Sequence, residues 1–311
     1  MGGLQLFFYL ATFIFVVGTV YKAAKIARMP LHLRWDLYPI PHEPGKGDYG
    51  GSYYEEIDWW TKPMKVSIPG ELKEMAKEII YIQSMYHNNR PLWYFSFPFH
   101  FGLYLSVVFV LLIYVGALLN VIGIPVTSET SHWLGALAYN LPVPFGLVGA
   151  ILGLAGGIGL FFMRLLKYDL RATSVWSDYF NLLLLMAVFA TTLITWATVD
   201  PAFNQARAFI GSLMTVSPSP EIPALTALHL TLAGIFLLWL PLTHMTHFVG
   251  KYFTYHKVRW EDHPNIQGSD LEKSVIEALG YKITWSAPHI KSGGTWAEAA
   301  TASDEKKEEK A

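Results

Sequence analysis

"HLTLAGIFLLWLPLTHMTHF", residues His229 to Phe248, is apolar enough for the middle of a lipid bilayer and yet holds three histidines. A buried imidazole without a partner costs free energy, so in hydrocarbon each ring needs a hydrogen bond, a metal or a cofactor. The length of the apolar run sets the fold question, and the histidines set the chemical one.

Working outward, four more stretches approach or exceed the roughly 20 residues that cross a bilayer. They are Leu4 to Val20, Leu92 to Leu119, Val143 to Leu166 and Tyr179 to Thr198; the fifth runs from Ala224 to about Phe248. This pattern predicts an all-α membrane protein, a bundle of five transmembrane helices. The first stretch lacks a basic start, and its lysines Lys22 and Lys25 follow the apolar run, so it is read as an uncleaved helix rather than a secretory signal.

Lysine and arginine set the orientation. Residues 22–91 carry ten, 119–142 none, 164–177 three, 199–223 one and 251–311 nine. The alternation places the N-terminus outside and the C-terminus in the cytoplasm, and the chain is expected to be a multi-pass protein of the cell's inner (cytoplasmic) membrane.

Composition narrows the chemistry. The chain is 52% hydrophobic and 15% charged, too apolar for an ordinary soluble domain. It has no cysteine, so it holds no iron–sulfur cluster or thiolate zinc site of its own. A net charge of −1 argues against a nucleic-acid partner. No HExxH, GxSxG or nucleotide-binding glycine loop is present.

Between the spans, "LHLRWDLYPIPHEPGKGDYGGSYYEEIDWW" reads as a loop with anchoring rings. "GELKEMAKEIIYIQSMY", Gly70 to Tyr86, has the spacing of an amphipathic helix. "SETSHWLGALAY" suggests a short interfacial helix, and "TVSPSPEIP" an irregular outer loop. Gly149, Gly153 and Gly157 stand four apart on the third span, which suits close helix–helix contact or a flat cofactor.

On an unbroken helix His229 and His247, 18 residues apart, lie about five turns from each other on one face, near opposite membrane surfaces. His244 points about 60° away from that face, and Pro241 offers a kink that keeps His244 open as a ligand. His100, near the inner start of the second span, matches His247 in depth on an antiparallel helix. Two imidazoles from facing helices clamp haem iron from both sides. His100 and His247 are therefore read as candidate axial ligands of a haem iron, with hydrogen bonds to neighbouring helices as the alternative.

Three stretches carry a family resemblance: "FHFG" opening the second span, "RATSVWSDYFNLLLL" from Arg171, and "HLTLAGIFLLWLPLTHMTH". Over roughly residues 92–250 the chain resembles the gamma subunit of respiratory nitrate reductase, a five-span cytochrome b that oxidises quinol. The long inner loop is more similar to relatives in heterodisulfide-reductase-like and sulfite-reduction-linked complexes of anaerobes. The resemblance implies His100 and His247 as ligands of the haem nearer the cytoplasm. It also implies a menaquinone-type quinone, a cytoplasmic iron–sulfur subunit as partner and a periplasmic multihaem cytochrome c as a further one.

The chain departs from that family at Val110, where the family places the histidine that pairs with the outer histidine of the fifth span. Three outcomes stay open for His229: a quinone contact with no outer haem, a second haem with His132 as the other ligand, or a five-coordinate second haem. Arg164, Arg171 and Asp178 cluster at the inner ends of the third and fourth spans, either snorkelling to the interface or pairing with haem propionates or a partner.

The division that follows is residues 1–24, first transmembrane helix; 25–91, cytoplasmic loop with an amphipathic helix; 92–250, four-helix haem-binding membrane core; 251–295, cytoplasmic docking segment; and 296–311, disordered tail. The function expected is electron transfer between the quinone pool, or a periplasmic cytochrome c, and the iron–sulfur subunit. The rival is a transporter whose membrane histidines relay protons without haem.

Overall fold

A computed structural model describes residues 2–29, 43, 45, 55–63, 65–256, 260, 265–288 and 290–302 of the 311. Most of the Pro- and Gly-rich loop, part of the stretch Lys251 to Trp260 and the last nine residues of the tail lie outside this set. Among the described residues the chain is helical, with isolated bridges in place of strands. The helices are α1 (Gly3–Ala27), α2 (Ile68–Tyr81), α3 (Gln83–Asn88), α4 (Arg90–Val121), α5 (Trp133–Asn140), α6 (Pro142–Leu166), α7 (Tyr168–Thr173), α8 (Trp176–Thr198), α9 (Asn204–Thr215), α10 (Ala224–Trp239), α11 (His247–Thr254), α12 (Asp270–Leu279) and α13 (Trp296–Thr301). Five stretches are long and apolar enough to cross a membrane: α1, α4, α5 with α6, α8, and α10 extended to Leu242.

The chain divides into two compact units, Met1–Val20 with Leu72–Thr246, and Tyr21–Glu71 with His247–Ala311. In the first, α4 packs along α6, α6 along α8 and α8 along α10, while α9 lies against α4. Asn89 caps α4 by accepting from the Leu92 N–H (3.3 Å). At 32 residues α4 is about 48 Å long, well beyond the roughly 30 Å of hydrocarbon, so its first turns stand clear of it. Trp93 Nε1 in those turns donates to the Tyr81 carbonyl (2.7 Å) and Tyr104 Oη, farther along α4, to that of Ile79 (2.7 Å), tying α2 to α4. The helix expected over 70–86 is broken at Ile82, whose φ of 51° interrupts the ladder between α2 and α3.

Glycine makes the α4–α6 contact close. A Cβ on Gly149 would stand 3.0 Å from the Gly102 carbonyl oxygen, and one on Gly156 would stand 2.8 Å from the Phe99 Cα. A Cβ on Gly157 would meet Met186 of α8 at 2.9 Å. The glycine row thus packs against protein, the helix-contact reading rather than the cofactor-bed one.

One end of this unit gathers α5 and α9 with the C-terminal end of α4 and the N-terminal ends of α1 and α10. Gln5 Nε2 donates to Ser212 Oγ (2.9 Å), Thr226 Oγ1 to Gln205 Oε1 (3.0 Å), and Arg207 Nη2 to the Ala138 carbonyl (3.3 Å). The sequence missed α9 (Asn204–Thr215), whose start is held by Asp200 accepting from the Asn204 and Gln205 N–H groups (2.8 and 2.7 Å). At the other end of α1, Gly18 lies against Pro241, so α1 and α10 run parallel. The outward side of α1, with Leu6, Leu10, Phe13, Val17 and Val20, stays exposed, as a lipid-facing helix requires.

In the second unit Tyr255 and Trp260 are buried edge-to-face (4.6 Å between ring centres). His256 Nε2 reaches Glu71 Oε1 at 2.7 Å. Ser269 caps α12, and α13 (Trp296–Thr301) opens on a capping box between Thr295 and Glu298, at the point where the sequence leads one to expect loss of structure.

Candidate functional site

His100 sits on α4 one turn after Ser96, whose carbonyl oxygen lies 2.7 Å from His100 Nδ1. A carbonyl can only accept, so in the neutral ring Nδ1 carries the proton and Nε2 the lone pair. Histidines that ligate a metal through Nε2 are held in this way by their other nitrogen. Val107, Leu111 and Leu118 follow His100 at helical spacing on its face of α4, and they are 58%, 58% and 49% exposed. Beyond His100 that face of α4 is open among the described residues, while at His100 itself Trp93 and Tyr104 hold it against α2.

His229 lies in the second turn of α10, opposite Thr191 of α8, with Thr191 Oγ1 3.0 Å from His229 Nδ1. The same hydroxyl lies 2.8 and 3.0 Å from the Ala187 and Val188 carbonyl oxygens. Its single proton goes to those carbonyls; turned toward the ring, it would leave oxygen facing oxygen at these distances with no proton between. Thr191 therefore accepts from His229 Nδ1–H, and Nε2 is again the lone-pair nitrogen.

The structure corrects the helical-phase argument for His229 and His247. α10 ends at Trp239, and two short 3₁₀ turns, Leu240–Leu242 and His244–Thr246, intervene before His247 opens α11. Pro241 lacks the N–H that would continue the ladder, and Thr243 is extended (φ −120°, ψ −179°). The five continuous turns that put both histidines on one face do not exist. His247 is exposed and begins the second unit; His100 and His229 belong to the first. His132 is exposed at the N-terminal boundary of α5.

His244 has a distinct role. Its Nε2 lies 3.1 Å from Asp178 Oδ1, while Arg164 Nη1 lies 3.6 Å from Asp178 Oδ2 and donates to Ser174 Oγ (2.7 Å). Asp178 also accepts from the Val175 N–H (3.0 Å) and so caps α8. Arg171 stands apart from this carboxylate and reaches the Leu165 carbonyl (3.4 Å).

Sequence reasoning missed Ser96, Thr191 and Asn181. Ser96 was detectable, because an i−4 carbonyl is always near a helical side chain; Thr191 was not, because it lies on another span. Asn181 is buried, and its Oδ1 accepts from Trp239 Nε1 (2.7 Å). That bond fixes the amide orientation and leaves Nδ2 with no acceptor among the described residues. Among the described residues no three His, Asp or Glu side chains converge as a metal-binding group.

No protein-family model matches the chain. The chain is 23% identical over 299 residues, 88% of its own length and 87% of the relative's, to the Hdr-like menaquinol oxidoreductase cytochrome b-like subunit of Archaeoglobus profundus. Its name places that relative within the family of cytochrome b subunits that the motifs of this chain resemble.

Proposed function

We propose that this chain is the cytochrome b-like membrane subunit of a quinol-linked redox complex, with haem b on the His100 side of the bundle and a quinone-type ligand beside His229. The observation that carries the reading is the tautomer of His100: its Nδ1–H is bound to the Ser96 carbonyl, which makes Nε2 the lone-pair nitrogen, the one a metal takes. The family resemblance implies His100 and His247 as the residues that would hold the iron, and the haem would supply a one-electron carrier. The similarity to a menaquinol oxidoreductase subunit supports menaquinol as the quinone.

The charge alternation supports a cytoplasmic C-terminus in the inner membrane, and the loop 25–91 with the segment 251–295 would dock a cytoplasmic iron–sulfur subunit of the heterodisulfide-reductase-like kind. A periplasmic multihaem cytochrome c is the further partner on the outer side. The chain's own contribution is to orient imidazoles, exclude water between packed helices and receive the protons that quinol gives up.

The test is the absorption spectrum of the purified full chain, oxidised and dithionite-reduced, with haem extracted and counted against protein. A b-type reduced spectrum that disappears in His100→Ala is the expected result. A colourless protein with normal folding would overturn the reading in favour of a haem-free proton-relay protein.

A further inference from the structure

We infer that Thr191 is a positioning residue that makes His229 selective for the hydroquinone form of its ligand. The inference rests on the reading that His229 faces a quinone-type ligand. Thr191 is buried (8% exposed) in the middle of α8, where its hydroxyl proton is committed to the Ala187 and Val188 carbonyls. Its lone pair holds His229 Nδ1–H at 3.0 Å. The His229 ring is thereby fixed with Nε2 as an acceptor, and Nε2 makes no hydrogen bond among the described residues.

An acceptor nitrogen discriminates by chemistry. A hydroquinone offers a phenolic O–H and can donate to Nε2. A quinone offers only a carbonyl oxygen, whose lone pairs would face the lone pair of Nε2. A site that must bind both redox forms equally would need a ring free to exchange tautomers, or a donor in place of the imidazole. By pinning the tautomer from a neighbouring span, the chain favours the reduced ligand, so that electrons enter the protein at this end of the bundle. Val110 leaves α4 without a second imidazole for this region, which keeps iron from competing for Nε2.

The test compares menadiol and menadione binding to the full-length chain in lipid nanodiscs under anaerobic conditions. The wild-type chain is expected to bind menadiol about tenfold more tightly than menadione, the scale of one hydrogen bond against an unpaired acceptor. Thr191→Val leaves the ring only the Val188 carbonyl as a partner and should weaken that preference, and Thr191→Ser should restore it. Nitrogen-15 NMR of the wild-type chain should show His229 protonated at Nδ1, a readout independent of how well Thr191→Val folds.

A His229 ring protonated at Nε2, or an unchanged preference in Thr191→Val, would overturn the inference while leaving the His100 haem spectrum untouched. If His229→Ala instead removes a second haem and neither probe binds, the reading of His229 as a quinone-type contact fails, and this inference fails with it.

Discussion

Gly102 of α4 and Gly153 of α6 meet backbone to backbone: a methyl group on Gly102 would stand 2.8 Å from the Gly153 Cα. Backbone cannot rotate away as a side chain can. Gly102→Val should therefore push the two helices apart and lower stability by about 1–3 kcal/mol, the range for overpacked cores. Thermal unfolding in detergent measures this. Because His100 is two residues away, haem retention should fall in parallel. A variant as stable as wild type would mean that the α4–α6 contact is looser than the glycines imply.

The other end of the bundle is fixed by Arg207, which is 1% exposed. Its guanidinium donates to Asn204 Oδ1 (2.7 Å) and to the Ala138 and Ala202 carbonyls (3.3 Å each). Burial pulls its pKa below the usual value, opposed by the charges of Asp200 and Tyr139. Arg207→Lys keeps the charge but not the planar fork, so it should strand buried acceptors and cost about 1–3 kcal/mol. Chemical denaturation should register this loss while the reduced haem spectrum stays unchanged.

The five spans were legible because about 20 apolar residues in a row admit few other readings, and a close helix contact by the third span was legible in the spacing of Gly149, Gly153 and Gly157, but not that Gly149 faces α4 while Gly153 and Gly157 face Phe189 and Met186 of α8. α9 was not, because its polar start and Arg207 look like loop; what makes it a helix is Asp200 capping it and its apolar side meeting Phe8 and Leu230. His100 was singled out by its setting in an apolar span. The end of the fifth span was misjudged at Pro241, where a kink was foreseen but the helix stops. Thr191 was invisible, since a contact between residues 38 apart is made by packing and leaves no periodic trace.

The loss of helical phase between His229 and His247 changes what histidine substitutions test. His244 Nε2 is directed at Asp178, which explains it without iron. His244→Ala should leave the low-spin b-type spectrum in place, and Asp178 keeps Arg164 and the Val175 N–H as partners. His100→Ala and His247→Ala should each abolish the low-spin signal in electron paramagnetic resonance. Retention of that signal in His247→Ala, with its loss in His244→Ala, would transfer the second ligand to His244.

Val110 lies in the middle of α4 and is 47% exposed, at the position where the resembled family carries an imidazole. A valine side chain has no lone pair, so iron can find no ligand there. The full chain should accordingly hold one haem b, counted as pyridine haemochrome against protein mass. Val110→His supplies the missing nitrogen, and His229 already presents Nε2 as a lone pair. The variant should then take up additional haem, toward two per chain, and lose its preference for menadiol because iron occupies Nε2. Wild-type protein that already holds two haems would show that another residue, with His132 the first to substitute, completes the outer site, and Val110→His would then leave the count unchanged.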